Sequence, residues 1–212
     1  MNYKNIIWDW NGTIVDDAWL FVQIMNKILK KNQLSLISLD DYKQNFCFPI
    51  QKYWRGLGFR FTTKSFNKLN SNFIKEYRKA MFSPKIHRGM ISFLKKIQKQ
   101  NVKQFVLSAS EEGLLKSSIR FYKLESLFDG VYGVDNLNAA GKESLGCVLF
   151  ETEGLKLSET LMIGDTEYDY TVANHIGCDI ILISHGHINY NRLLKTGVPV
   201  VSSLSELEVY LK

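Results

Sequence analysis

The sequence predicts an α/β fold: a parallel sheet covered by helices on both faces, with a small helical domain inserted after the first strand. Three observations carry this. Four short apolar runs have the length and composition of strands buried on both sides. Segments of helical periodicity separate the last three of them. A long early stretch shows helical spacing and no clear strand.

The first run is Ile6-Ile7-Trp8. The helical stretch, 17–83, follows it. It holds Trp19, Leu20, Val22, Ile24, Met25, Ile28 and Leu29 at helical spacing. Tyr53, Trp54 and Leu57 come next, then Phe66, Leu69, Phe73, Ile74 and Tyr77. Phe82-Ser83-Pro84-Lys85 reads as the return linker, because proline disfavours helix in the residue before it. The chain thus divides into a core of 1–16 with 84–212 and an insert of 17–83. A helical segment near 88–100 leads into the second run, Phe105-Val106-Leu107. Segments near 111–122 and 143–153 precede the third, Leu161-Met162-Ile163. One near 167–176 precedes the fourth, Ile180-Ile181-Leu182-Ile183. Alternating strand and helix argues for a parallel sheet.

The composition excludes several classes. Of 212 residues, 45% are hydrophobic, enough for a substantial core. Lys and Arg number 27 against 21 Asp and Glu, a net charge of +6. The densest basic cluster, Lys95, Lys96, Lys99 and Lys103, is interleaved with Phe93, Leu94, Ile97 and Val102. It reads as a solvated helix face rather than a nucleic-acid patch. A positive field would still help collect an anionic substrate. Cys47, Cys147 and Cys178 are odd in number and widely spaced, so neither a disulfide framework nor a zinc site is expected. Each lies in a mostly apolar stretch and reads as core filler. Reduced thiols fit a cytoplasmic protein. The first residues lack a long apolar signal region, and no run reaches the roughly 18 apolar residues of a membrane span.

Ligands of an open parallel sheet bind beyond the carboxyl ends of its strands. Asp9-Trp10-Asn11-Gly12-Thr13 follows the first run, and Ser108-Ala109-Ser110 follows the second. Asp135-Asn136-Leu137-Asn138-Ala139-Ala140-Gly141-Lys142 comes later, and Gly164-Asp165-Thr166-Glu167-Tyr168-Asp169 follows the third run. Carboxylates, a hydroxyl and an ammonium converging on one edge suit phosphoryl transfer. Two carboxylates can hold a hard cation such as Mg²⁺, and the cation and lysine neutralise the transferring group. The hydroxyl of Ser108 and backbone N–H groups at Thr13 and Ala109 can bind the remaining oxygens. Gly12 lets the backbone turn beside the anion. A central carboxylate can attack phosphorus.

This ordered set of motifs resembles the haloacid dehalogenase superfamily. Within it, the chain is most similar to phosphoglycolate-phosphatase-like hydrolases. The resemblance spans the whole length and includes, more weakly, Ser184-His185-Gly186-His187 and the 202–207 segment. It implies a Rossmann-like core, with 17–83 in the position of the family's cap. It implies a Mg²⁺-dependent phosphatase for a small phosphorylated metabolite, phosphoglycolate being the example, and no nucleic-acid or membrane partner. Oligomeric state is not readable. By the same resemblance, Asp9 is nucleophile and Mg²⁺ ligand, and Asn11 offers its backbone carbonyl to the metal. Ser108 and Lys142 bind the phosphoryl group, Asp165 is a metal ligand, and Asp169 holds the metal directly or through water. Glu143 stands after the lysine where the family often has proline.

The family's phosphatases usually carry a second aspartate at position 11. Asn11 cannot exchange a proton near neutral pH, and losing general acid–base help typically costs about 10²–10⁴-fold in rate. Three readings follow: a phosphatase with another proton carrier, one whose substrate has a good leaving group, or a slow or non-catalytic protein that binds a phosphorylated ligand. Hydrolysis is favoured, because the other motifs are complete. Several polar residues read as structural. Asp16 and Asp17 begin the insert's first helix, and Ser110 caps the helix after it. His185 and His187 read as structural or peripheral, lacking a nearby third ligand. Lys52 and Arg55 are candidate substrate contacts from the insert, or solvated charges.

Overall fold

The computed structural model describes residues 3–135 and 141–211. Strand β1 (Asn5–Trp8) leads through the two-residue strand β2 (Val15–Asp16) into four helices. These are α1 (Ala18–Lys31), α2 (Leu39–Asn45), α3 (Ile50–Gly56) and α4 (Thr63–Ala80). Strand β3 (Lys85–Ile86) returns antiparallel to β2, so the two connections to the helical stretch run side by side. Then come α5 (Met90–Gln98), β4 (Lys103–Glu111), α6 (Glu112–Phe121), β5 (Gly130–Val134), α7 (Lys142–Glu153) and β6 (Thr160–Gly164). The chain continues through α8 (Glu167–Ile176), β7 (Asp179–Ile183), α9 (Tyr190–Leu193), β8 (Val200–Val201) and α10 (Leu204–Leu211).

Six strands form one sheet in the order β5-β4-β1-β6-β7-β8, and every pairing is parallel. The α/β class is as expected. The four apolar runs are β1, β4, β6 and β7. Strands β5 and β8 were not legible: β5 reads Gly-Val-Tyr-Gly-Val, with glycines interrupting its apolar run, and β8 has two residues.

Alternation along β1 sends Ile6 and Trp8 to one face and Ile7 to the other. Both faces are buried, which is why the strands read as continuous apolar runs rather than alternating ones. The Ile6 face packs on Met90, Leu94 and Ile97 of α5 and Leu115 and Ile119 of α6. The Ile7 face continues without a break into the helical stretch, through Leu20, Trp54, Phe66 and Phe73. Full burial of each such side chain contributes about 1.5–3 kcal/mol. Trp19 departs from this: it is 40% exposed and its indole N–H donates to the carbonyl of Asp16. Lys95, Lys96, Lys99 and Lys103 are exposed, as a solvated face requires. Of the cysteines, only Cys178 is buried; Cys47 and Cys147 are half-buried. Among the described residues, no helix is long and apolar enough to cross a membrane.

Candidate active site

Strand β1 lies between β4 and β6, so the residues after these three strands share one edge. Asp9 extends the ladder, its N–H donating to the carbonyl of Ile163 at 2.9 Å. The chain then turns at Gly12, whose φ of 79° places it in the left-handed region. A Cβ there would also lie 2.3 Å from Oδ2 of Asp165. Gly186 makes a similar approach, at 2.0 Å, so two glycines let the backbone close around one carboxylate. Thr13 Oγ1 donates to Asp165 Oδ1 at 2.8 Å, and the N–H of His187 donates to Oδ2 at 2.6 Å.

Lys142, at the first turn of α7, crosses the edge. Its Nζ donates to Asp9 Oδ1 at 2.5 Å and Asp169 Oδ1 at 2.6 Å, and it is 1% exposed. Asp169 sits in the first turn of α8. There it forms a capping box with Thr166, accepting from the Thr166 N–H at 3.0 Å and from Oγ1 at 2.7 Å. One oxygen thus serves the helix and the other meets Lys142. Ser108 is buried at the end of the apolar part of β4, and Ser108, Ala109 and Lys142 line the same chamber as Asp9. Residues 136–140 of the predicted lysine segment lie outside the described residues.

Asp9, Asp165 and Asp169 are all buried, with carboxylate oxygens within 4.8 Å of one another. Burial, together with the charges of Asp169 and Asp165, pushes Asp9 up to about 8 against the pull of Lys142. Burial and Asp169 push Asp165 up to about 6 against His187 and Thr13. Burial pulls Lys142 down, yet the Asp169 and Asp9 carboxylates hold it above its ordinary value. Asp9 and Asp169 share one ammonium, and Asp165 is held by Thr13 and the His187 N–H, so the cluster keeps negative charge that a hard, oxygen-seeking cation would neutralise.

Asn11 lies beside this cluster in a closed hydrogen-bond network. Its Nδ2 donates to Asp17 Oδ2 at 2.6 Å and to the Tyr77 hydroxyl at 2.7 Å, and its Oδ1 accepts from Ser110 Oγ at 2.7 Å. Asp17 is fully buried. It also accepts from the Gly12 N–H at 3.0 Å, the Tyr77 hydroxyl at 3.2 Å and His187 Nε2 at 3.2 Å. Burial opposes a charge on His187, but Asp17 and then Asp165 raise it above its ordinary value. The other ring nitrogen meets the Tyr42 hydroxyl at 2.8 Å.

Three expectations change here, and a fourth, open between two readings, takes the solvated one. Asp17 does stand where α1 begins, but its side chain makes no cap and turns into the site. His187 is not peripheral, since it touches Asp165 and Asp17. Ser110 does not cap α6; Glu111 does, accepting from the N–H groups of Gly113 and Leu114 at 3.1 Å. Lys52 and Arg55 are exposed and absent from the chamber lining, and the Arg55 guanidinium lies 5.3 Å from the Phe61 ring centroid. His185 keeps its structural reading. It stacks on His87 at 3.7 Å between centroids, and the two Nε2 atoms meet the carbonyls of Thr13 at 3.0 Å and Gly12 at 2.9 Å. Asp17, Tyr42, Tyr77 and His187 lie far apart in the chain, and no local pattern joins them.

Residues 6–183 match the family described as haloacid dehalogenase-like hydrolase, and the chain belongs to it. A protein of Caldanaerobacter subterraneus subsp. tengcongensis, provisionally named pyrophosphatase PpaX, is 21% identical over 201 residues, which are 92% of this chain and 88% of that one. A crystal structure from Clostridium acetobutylicum, described as a predicted phosphatase, superimposes with a TM-score of 0.86 at 21% identity. It covers 100% of this chain and 99% of its own. Another, described as a predicted phosphoglycolate phosphatase from Haemophilus somnus 129PT, gives 0.79 at 17% identity, covering 100% and 99%.

Proposed function

We propose that this protein is a Mg²⁺-dependent phosphatase that hydrolyses a small phosphorylated metabolite through an aspartyl-phosphate on Asp9. The observation that carries this is the buried cluster of Asp9, Asp165 and Asp169, with Lys142 bridging Asp9 and Asp169. The names of its relatives, a pyrophosphatase and two phosphatases, support hydrolytic release of phosphate. Phosphoglycolate belongs to this substrate class and is one compound to test.

Asp9, Asp165, Asp169 and the backbone carbonyl of Asn11 would hold the cation. When bound, Mg²⁺ supplies positive charge that screens the carboxylates from an incoming phosphate and stabilises charge on the transferring oxygens. Lys142 pins one oxygen of Asp9 and adds a second positive charge where charge develops. Ser108, with the backbone at Thr13 and Ala109, receives the phosphoryl oxygens, and Gly12, whose N–H is held by Asp17, supplies the turn that brings Thr13 beside them. Asp9 attacks phosphorus, the ester oxygen departs with its electron pair, and water then releases phosphate from Asp9. The helices of 17–83 act as the cap that closes over the reacting group and excludes water. The three free cysteines fit a cytoplasmic setting.

The test is release of inorganic phosphate from a panel of phosphorylated metabolites, acetyl phosphate and phenyl phosphate. Turnover with Mg²⁺, lost on chelation and restored by Mg²⁺, is expected. No turnover of any compound, the activated ones included, would overturn the proposal.

A further inference from the structure

Two observations constrain the group that departs from phosphorus. The first is the wall above the carboxylates. The chamber is small, about 110 Å³, below the roughly 300–1,000 Å³ of drug-sized pockets. The helical stretch lines it with Phe21, Met25, Trp54, Phe73, Ile74 and Tyr77, and Phe46, Phe48 and Tyr168 add to them. Asn70 lines it too. Among the described residues of the lining, Lys142 is the one Lys or Arg, and it is already shared between Asp9 and Asp169. Residues 136–140 contribute no cationic type. Glu111, also on the lining, is occupied with capping α6 and with Arg78, 3.8 Å away. His187, also on the lining, is engaged at its two ring nitrogens by Asp17 and Tyr42, so a carboxylate on the leaving group would lose its water and gain no free cation, which is costly.

The second is Asn11. Its amide donates to Asp17 and Tyr77 and accepts from Ser110, so it has no proton to give a departing oxygen. An alkoxide, whose conjugate acid resembles water near about 16, departs poorly without one. A phenoxide, like that of tyrosine near about 10, departs far more readily.

Resting on the phosphatase reading above, we infer that the leaving group is an uncharged aromatic ring: the substrate class is an aryl phosphate monoester, its phosphate at Asp9 and its ring in the aromatic chamber. Aromatic walls suit a ring through stacked and edge contacts. The P–O(aryl) bond breaks as the Asp9–phosphorus bond forms, and the electron pair leaves on the phenoxide. Water then cleaves the aspartyl-phosphate, regenerating the Asp9 carboxylate and giving dihydrogen phosphate. The phenoxide takes one of its protons through solvent, so the products are phenol and monohydrogen phosphate.

The experiment compares kcat and KM of the Mg²⁺-loaded protein on phenyl, 4-carboxyphenyl and benzyl phosphates and on phosphoglycolate. Phenyl phosphate should exceed phosphoglycolate by about 100-fold or more in kcat/KM. The ring carboxylate makes a better leaving group, yet should raise KM about 10-fold. Benzyl phosphate keeps the ring but leaves as an alkoxide; it should match phenyl phosphate in KM and fall about 10²-fold or more in kcat. Ile74→Lys should recover 4-carboxyphenyl phosphate relative to phenyl phosphate by about 10-fold. Phosphoglycolate turned over as well as phenyl phosphate, or benzyl as fast as phenyl, would overturn the inference. If nothing is turned over, the phosphatase reading has failed, and calorimetry with phenylphosphonate and phosphonoacetate still decides what the chamber recognises. Tighter phenylphosphonate supports the aromatic reading; equal or tighter phosphonoacetate overturns it.

Discussion

The floor and roof of the chamber are built from opposite materials. The floor is the carboxyl edge of β1, β4 and β6, where Asp9, Asp165, Asp169 and Lys142 are buried within hydrogen-bond reach of one another or of their turns. The roof is aromatic side chains on α1, α3 and α4. The floor gains nothing from burial, which raises Asp9 and Asp165 and makes their charges costly. The roof is stabilised by burial. The difference teaches that the floor is shaped for a reacting anion and a cation, while the roof selects what the anion is attached to.

The largest expected effect comes from breaking the floor. Asp9→Asn should lower turnover by about 10³-fold or more while the fold persists, measured by phosphate release alongside circular dichroism. Retained turnover would remove Asp9 as the nucleophile. Next comes the joint between Asn11 and Asp17. Asn11→Asp would set two carboxylates where Nδ2 now lies 2.6 Å from Asp17 Oδ2. It should destabilise the protein by about 1–3 kcal/mol in thermal unfolding. The double variant Asn11→Asp/Asp17→Asn restores a donor opposite an acceptor and should recover most of that loss. A fully stable single variant would show that Asp17 does not dictate the amide.

A smaller effect should follow from separating the two walls. Arg192, on α9, pairs with Glu167 and donates from Nη1 to the carbonyls of Lys43 at 3.2 Å, Gln44 at 3.0 Å and Phe46 at 2.8 Å. It thus fastens the end of α2 to the core. Arg192→Ala should cost about 1–2 kcal/mol and raise KM more than it lowers kcat. An unchanged KM would show that the roof stays seated without it.

The smallest effect lies beneath the floor. Burial and then the neighbouring His87 hold His185 down to about 4, and burial holds His87 below its ordinary value. The unfolded chain therefore binds more protons than the native one below about pH 6.5. This contribution is complete above that pH and is lost as pH falls toward 4. It should cost about 1 kcal/mol by about pH 5.8, and His185→Gln should flatten the dependence in pH-resolved denaturation. An equally steep profile in the variant would locate the sensitivity elsewhere.

Much of this protein could be read along the chain. Buried parallel strands are apolar runs, and turns that follow them are polar, so β1, β4, β6 and β7 and the residues Asp9, Ser108, Asp165 and Asp169 stood out along the chain, whereas Lys142 and the role of each residue came from the family resemblance. Strands β5 and β8 did not, because glycine and shortness removed their local signal. Only the tertiary structure decided what surrounds Asn11 and what faces Asp9. Asp17, Tyr77, Ser110 and His187 reach one another across 6 to 170 residues of chain. A side chain that looks like a helix start or a loop histidine acquires its partner by packing alone. The roof is the same case: Phe73 and Trp54 are core residues by periodicity, and only the fold sets part of that aromatic surface against a carboxylate. Covalent neighbours determine which segments are buried; long-range contacts determine what each buried polar group meets.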